Sequence, residues 1–396
     1  MQCPVSGAER DKMYRNKVSL WAFAACLLIF KSKDSGKIRE SKKTNGGFLT
    51  FEILFCSLIL LCAMFKSRIA GTGHFTPERV ITNEYLSRLM DTSDAWITER
   101  TGIKERRWYE PGVDTVANMA AKASRMALEN AGMEASAIDC IVFATITPDY
   151  YFPGSGVLLQ RELNLGPIPA FDIRNQCTGF VYAVSMADQY IRTGVYQNIL
   201  VVGAEIQSSA LDISTEGRGM AVIFGDGAGA LLMKRSEEKD RGLIDSLLFS
   251  DGRFAEELIL KDPGSSRPFR HMADLALHPE ETKPYMNGNQ VFKHAVQRFP
   301  EVTLAILEKN GFSQTDLDLL VPHQANLRIT QYVKDKLGLP DEKVVSNIEK
   351  YGNTTAASIP IALSEAWQAG RIKEGMLICL TAFGSGFTWG SNLMRW

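Results

Sequence analysis

The chain has 396 residues, with 44 Lys and Arg against 45 Asp and Glu and a formal net charge of −1. That balance argues against a nucleic-acid binder, which carries a basic excess or stripe, and a composition 45% hydrophobic and 22% charged excludes wholesale disorder. Seven cysteines without a C-x-x-C pair suggest neither a disulfide framework nor a zinc ribbon, so a reducing compartment is the default.

Charge is unevenly placed. Residues 1–66 hold 11 Lys/Arg and 5 Asp/Glu, a net +6, against 33 and 40 in the remainder, a net −7. Four cysteines (Cys3, Cys26, Cys56 and Cys62) and two apolar runs, 18–30 and 48–65, share this stretch. The first run is too short to span a bilayer; the second, interrupted by Glu52, sits at the lower limit. No A-x-A cleavage site follows it. Residues 1–66 therefore read as an extension, and two explanations stand open. Either synthesis begins at Met64 and the upstream residues are dispensable, or the segment associates with a membrane.

From Ser67 onward the pattern is α/β. Apolar, β-branched runs predict strands at 138–146, 198–204, 228–234, 317–322 and 376–383. Helical periodicity predicts helices over 115–133, 178–194, 290–311, 325–338 and 357–370, the first two stopping near Gly132 and Gly194. Continuous apolar strands imply sheets covered on both faces, so a layered α/β body is expected. No long linker interrupts it. The glycine clusters GTG (71–73), FGDGAGA (224–230) and GSGFTWG (384–390) lack the strand–helix context of a phosphate-binding loop and read as sites of close backbone approach.

Cys177 follows the strand-like PAFDI (169–173) and RNQC and precedes a helix. A thiol there meets the positive end of the helix dipole, which favours the thiolate, and a strand-to-helix turn exposes a nucleophile. Cys140 and Cys379 lie within predicted strands and read as inert apolar residues. His323 ends the strand LDLLVP and Asn353 lies in the loop YGNTTAASIP before the next helix, both in settings like that of Cys177. Ends of neighbouring parallel strands gather at one sheet edge, which makes the three a candidate catalytic set. His74, His271, His278 and His294 read as turn or helix-surface residues.

These residues carry a family resemblance. DTSDAWITERTGI (91–103), CTGFVYAVSMADQYIRTG (177–194), RGMAVIFGDGAGA (218–230), MNGNQVFKHAV (286–296), PHQANLRI (322–329), YGNTTAASIP (351–360) and AFGSGFTWG (382–390) follow one another along 67–396. In these blocks the chain resembles the β-ketoacyl-acyl carrier protein synthases III, thiolase-like condensing enzymes. The resemblance implies a duplicated α/β/α/β/α five-layer fold. Residues 67–235 would supply Cys177, residues 236–396 would supply His323 and Asn353, and the enzyme would be a homodimer.

It also implies the chemistry: acylation of Cys177 by an acyl-coenzyme A primer, then decarboxylation of malonyl-acyl carrier protein and condensation, initiating fatty-acid synthesis. His323 and Asn353 would stabilise the enolate, and backbone N–H groups of Cys177 and Ser385 would form the oxyanion hole. By the same carry-over Trp96, Arg100 and Arg218 would contact coenzyme A. Arg328, Lys334 and Lys336 would dock the acidic carrier protein, and Phe152 would shape the acyl pocket of the partner in the dimer. No metal and no cofactor is implied, and the thioester substrates place the enzyme in the cytoplasm. A single membrane anchor at 48–65 would export the body, so membrane contact requires a hairpin of both apolar runs. Asn175 and Gln176 stand where small residues usually precede the nucleophile, and Ser385 where glycine or alanine is frequent, which puts primer preference in question. Residues 261–284 match weakly and read as a lid or surface excursion. Two alternatives to the leading reading are an acyltransferase or acyl-condensing enzyme of secondary metabolism, and an inactive partner subunit or membrane-tethered scaffold.

Overall fold

The computed structural model describes residues 65–238, 240–266 and 277–396. The expectations for residues 1–64, His271 and part of 261–284 lie outside these. Residues 64–396 form one compact unit.

Nine strands of at least four residues and seven helices of at least eight are present among the described residues. The strands are β1 (Lys66–Phe75), β2 (Cys140–Ala144), β3 (Ala170–Ile173), β4 (Asn198–Glu205) and β5 (Gly227–Ser236), followed by β6 (Gly242–Ser250), β7 (Leu319–Pro322), β8 (Leu377–Gly384) and β9 (Thr388–Arg395). The helices are α1 (Asp94–Thr101), α2 (Val116–Ala131), α3 (Ser155–Glu162) and α4 (Gly179–Arg192), then α5 (Gly288–Lys309), α6 (Leu327–Leu337) and α7 (Ser358–Gln368). Local signals set their ends. Thr115 and Asn118 close a capping box on α2, and Gly132 ends it in the left-handed conformation. Asn326 caps α6, and Gly338 stops it in the same way.

The first sheet runs β1-β5-β4-β2-β3 and the second β6-β9-β8-β7. In the first, β4, β2 and β3 run parallel to one another, while β5 is antiparallel to β4 and to β1; in the second, β8 and β7 are parallel, while β9 is antiparallel to β8 and to β6. The second sheet thus repeats the first, β7, β8, β9 and β6 standing for β2, β4, β5 and β1. Its counterpart of β3 shrinks to a single parallel bridge, Leu320 to Val344.

Three apolar clusters stack these sheets into five layers. Helix α2 and α3 residues (Met119, Ala123, Leu159) pack on the outer face of the first sheet. Residues of α4 and α7 (Phe180, Val184, Ile359, Leu363) lie between both sheets, and α5 and α6 (Phe299, Ile306, Val333) cover the second. The GTG glycines lie within β1, not before a phosphate. A Cβ on Gly71 would stand 2.1 Å from the Ala127 carbonyl oxygen, and one on Gly73 would stand 2.2 Å from that of Ala123. Glycine there lets α2 sit directly on the strand.

One of the histidine expectations is corrected. His74 is a residue of β1, not of a turn, and its Nδ1 lies 2.9 Å from Ser364 Oγ. His278 precedes a short 3-10 turn and pairs with Glu280 at 3.3 Å. His294 lies on α5, its ring 4.3 Å from that of Phe254 and 5.1 Å from that of Phe387. No helix among the described residues is long and apolar enough to cross a membrane.

Candidate active site

Cys177 sits in a 3-10 turn, Gln176–Thr178, that leads straight into α4. His323 directly follows β7, and Asn353 lies in the loop before α7. The structure brings all three to one cavity of about 390 Å³. Because α4 and α7 occupy equivalent places in the two repeats, the loops preceding them meet between the sheets.

Packing around the sulfur is tight. Gly384, the last residue of β8, is so close that a Cβ on it would stand 2.7 Å from Cys177 Cβ and 3.3 Å from the sulfur. The next residue, Ser385, donates its backbone N–H toward the Cys177 sulfur, as does the N–H of Cys177 itself. Ser385 is held by its hydroxyl, which donates to the Leu258 carbonyl at 2.5 Å. Burial pushes the Cys177 thiol up to about 12, Glu205 adds to the rise, and the two N–H groups oppose it. The helix terminus therefore does not produce a thiolate in the free protein, contrary to the expectation from position alone. Desolvation outweighs the dipole.

The two polar partners are oriented by specific contacts. His323 is buried, and burial pushes its ring down to about 3, so it is neutral at physiological pH. Its Nδ1 lies 2.6 Å from Ser358 Oγ, which also accepts the Gln324 N–H at 3.4 Å. The hydroxyl can accept that N–H and donate its own hydrogen to Nδ1, the arrangement that leaves the ring proton on Nε2 facing the cavity. Nε2 has no partner among the described residues. Asn353 Oδ1 accepts the Thr355 N–H at 2.8 Å, which fixes the carboxamide and leaves Nδ2 as a donor. Backbone bonds from Asn353 N–H to Ile223 O (2.9 Å) and from Gly225 N–H to Asn353 O (3.1 Å) hold the loop. Two neutral side-chain donors thus border the same cavity as the sulfur.

Trp96 and Arg100, one turn apart on α1, also line this cavity. The Arg100 guanidinium lies 4.5 Å from the Trp96 ring centroid and that of Arg218 lies 5.3 Å from it. Arg218 is anchored by the Asp91 carbonyl and carboxylate. Asn326 donates to the Arg100 carbonyl at 3.0 Å, tying α1 to the start of α6. Arg328 lines the cavity as well, over the Phe292 ring. Lys336 is exposed. Lys334 is not grouped with them: it lies roughly a third of a turn from Arg328 and pairs with Asp341 at 2.6 Å and Asp335 at 3.6 Å.

A second cavity, about 450 Å³, also has Cys177 in its wall, with Ile146, Leu211 and Leu258 among its apolar residues. Gln176 lines it, whereas Asn175 turns away to Thr178 Oγ1 at 2.9 Å. Phe152 lines neither cavity; it is 81% exposed, beside Tyr151. Residues 258–264 and Pro284 form part of the second cavity's wall, so these parts of the weakly matching segment line the site.

Two residues near the sulfur escape sequence reasoning. Glu205 ends β4 fully buried, and burial raises its carboxyl to about 7. It accepts the hydroxyls of Thr147 (2.5 Å) and Thr145 (3.2 Å) and the N–H groups of Ile146 and Thr147. A charged residue closing a continuous apolar strand was the available signal. Ser358 had none, since its role depends on a ring 35 residues away. Among the described residues no group of three or more His, Cys, Asp or Glu is placed to hold a metal ion.

Comparison with known proteins agrees with this architecture. The profiles described as 3-oxoacyl-[acyl-carrier-protein (ACP)] synthase III and its C terminal match residues 171–252 and 307–396. The chain is 47% identical over 336 residues to a beta-ketoacyl-[acyl-carrier-protein] synthase III of Alkalilimnicola ehrlichii, covering 84% of this chain and 100% of that one. The crystal structure of the 3-oxoacyl-[acyl-carrier-protein] synthase III from Aquifex aeolicus superposes with a TM-score of 0.76 at 42% identity, covering 83% of this chain and all of the other. That from Thermus thermophilus gives 0.77 at 39% identity, covering 83% and 99%. With these matches and the repeated five-layer architecture, the chain belongs to the 3-oxoacyl-[acyl-carrier-protein] synthase III family.

Proposed function

We propose that this protein catalyses the decarboxylative condensation of an acyl-coenzyme A primer with malonyl-acyl carrier protein, the initiating step of fatty-acid synthesis. The observation that carries the reading is the cavity that Cys177 shares with His323 and Asn353, with the backbone N–H groups of Cys177 and Ser385 directed at the sulfur.

In the first half-reaction the Cys177 sulfur attacks the primer thioester carbonyl. The oxyanion is received by the Cys177 and Ser385 N–H groups. Collapse forms the acyl-cysteine and expels coenzyme A, which leaves with the thiol's proton. The high thiol pKa means that this proton moves as the bond forms, not beforehand. Trp96, with the guanidiniums of Arg100 and Arg218 beside its ring, offers a cationic and aromatic surface for the nucleotide end of coenzyme A. In the second half-reaction the malonyl carboxylate departs as carbon dioxide, and its bonding electrons form an enolate. His323 Nε2–H and Asn353 Nδ2–H donate to the enolate oxygen. The enolate carbon attacks the acyl-cysteine carbonyl, and Cys177 leaves as a thiolate that takes a proton from solvent.

Arg328 at the cavity edge and exposed Lys336 would receive the acidic carrier protein, with Lys334 contributing less because Asp341 and Asp335 neutralise it. Exposed Tyr150, Tyr151 and Phe152, together with the edge strand β3, support a homodimer in which Phe152 reaches the partner's acyl pocket. The substrates place this chemistry in the cytoplasm.

The test is intact-mass analysis after incubation with acetyl-coenzyme A, followed by carbon dioxide release from malonyl-acyl carrier protein. An acetyl adduct absent from Cys177→Ala, and carbon dioxide release that falls 10²–10³-fold in His323→Ala and Asn353→Ala while the adduct survives, are expected. An adduct without any carbon dioxide release would instead point to transfer onto an oxygen or nitrogen nucleophile.

A further inference from the structure

The second cavity at Cys177 combines an apolar wall with polar groups that have nothing to bind. Gln207 is 9% exposed, and its side chain makes no hydrogen bond among the described residues, its Nε2 being sealed from solvent. Thr355 is 1% exposed, and its Oγ1 is likewise without a partner. Gln176 and Arg174 line the same cavity, and neither side chain has a hydrogen-bond partner among the described residues. Gln176 and Thr355 hold φ of +47° and +51°, the left-handed region that non-glycine residues seldom occupy. Strain and unpaired buried polar groups are each unfavourable, and they concentrate where a ligand interacts.

We propose that this cavity selects a primer whose acyl chain carries an oxygen substituent, a hydroxyl, keto or carboxyl oxygen, received by Gln207, Thr355 and Gln176. The proposal rests on the condensing reading above and names the substrate class for it. An unsubstituted chain leaves the hydrogen bonds of these groups unmade, whereas an oxygenated chain offers the partner they lack. A site built to hydrogen-bond its substrate rejects the analogue lacking that group far more strongly than an apolar pocket discriminates size. Arg174, at the exposed end, adds a charge that a terminal carboxylate would use.

The experiment measures the rate of Cys177 acylation by intact mass with acetyl-, butyryl-, 3-hydroxybutyryl- and succinyl-coenzyme A. A kcat/KM at least about tenfold higher for 3-hydroxybutyryl or succinyl than for butyryl is expected. Gln207→Leu should shrink or invert that ratio, and Gln176→Ala should move it in the same direction. A ratio of succinyl to 3-hydroxybutyryl that falls in Arg174→Gln identifies the carboxylate as the favoured oxygen. A wild-type preference for butyryl, or a ratio untouched by both glutamine variants, overturns the primer assignment alone. No adduct with any thioester, acetyl included, overturns the condensing reading and this proposal with it.

Discussion

Ser358 Oγ and His323 Nδ1 lie 2.6 Å apart, and this contact decides which ring nitrogen faces the cavity. Ser358→Ala removes the acceptor-side lock, so the ring can take the other tautomer and present Nε2 as a lone pair. Decarboxylation should fall roughly tenfold, with Cys177 acylation little changed. Nitrogen-15 NMR of the wild type should show a neutral Nε2–H imidazole throughout pH 5–8, because burial holds the ring near 3. An imidazole that titrates near pH 6.5 contradicts the assignment.

Alkylation of Cys177 by iodoacetamide should track its thiolate fraction, which for a thiol near 12 rises with pH without a plateau below pH 10. Glu205 ionises near 7 and its charge raises the thiol further, so the wild-type rate should climb less than tenfold per unit across pH 6–8. Glu205→Gln keeps a hydrogen-bonding side chain without the charge. Its rate should show the full slope and exceed wild type on the order of tenfold at pH 8. Superimposable pH–rate curves for the two proteins would disprove the coupling.

Trp96 carries two guanidiniums near its ring, at 4.5 Å and 5.3 Å. Trp96→Ala should raise KM for acetyl-coenzyme A about tenfold, the size of one or two cation–π and stacking contacts. The rate with a truncated acetyl-pantetheine thioester should change much less. Equal losses for both substrates would place Trp96 outside the nucleotide contact.

Gly384→Ala would set a methyl 2.7 Å from Cys177 Cβ, where neither backbone can yield freely. Thermal unfolding should report a loss of about 1–3 kcal/mol, and acylation should fall with it as the sulfur is displaced from the Ser385 N–H.

The three chemical side chains were legible in the sequence because each sits beside a strong element boundary. Cys177 and Asn353 precede helices with clear apolar periodicity, and His323 closes a run of consecutive apolar residues. What surrounds them was not. Strand β6 escaped because Asp245 and Ser246 break its apolar run and none of its residues after Leu243 is fully buried. Strand β1 escaped because Gly71, Gly73 and His74 imitate a turn. The expected thiolate at Cys177 misled because sequence shows the helix terminus but not the desolvation or the Glu205 charge that overcomes it. The ion pairs of Lys334 with Asp335 and Asp341 depend on how the chain after α6 folds back, which residue spacing does not show.

The loops bearing Cys177 and Asn353 both hang from the middle layer, on helices α4 and α7, which both sheets enclose. Reactive geometry is thereby fastened to the stratum enclosed on both sides, while α2, α3, α5 and α6 form an outer hull packed on the far faces of the sheets. Substitutions on the solvent-facing side of that hull can accumulate and be absorbed at the surface before they shift the sulfur by a fraction of an ångström. Conversely, a single added methylene in α4 or α7 would be transmitted directly to the reacting atoms.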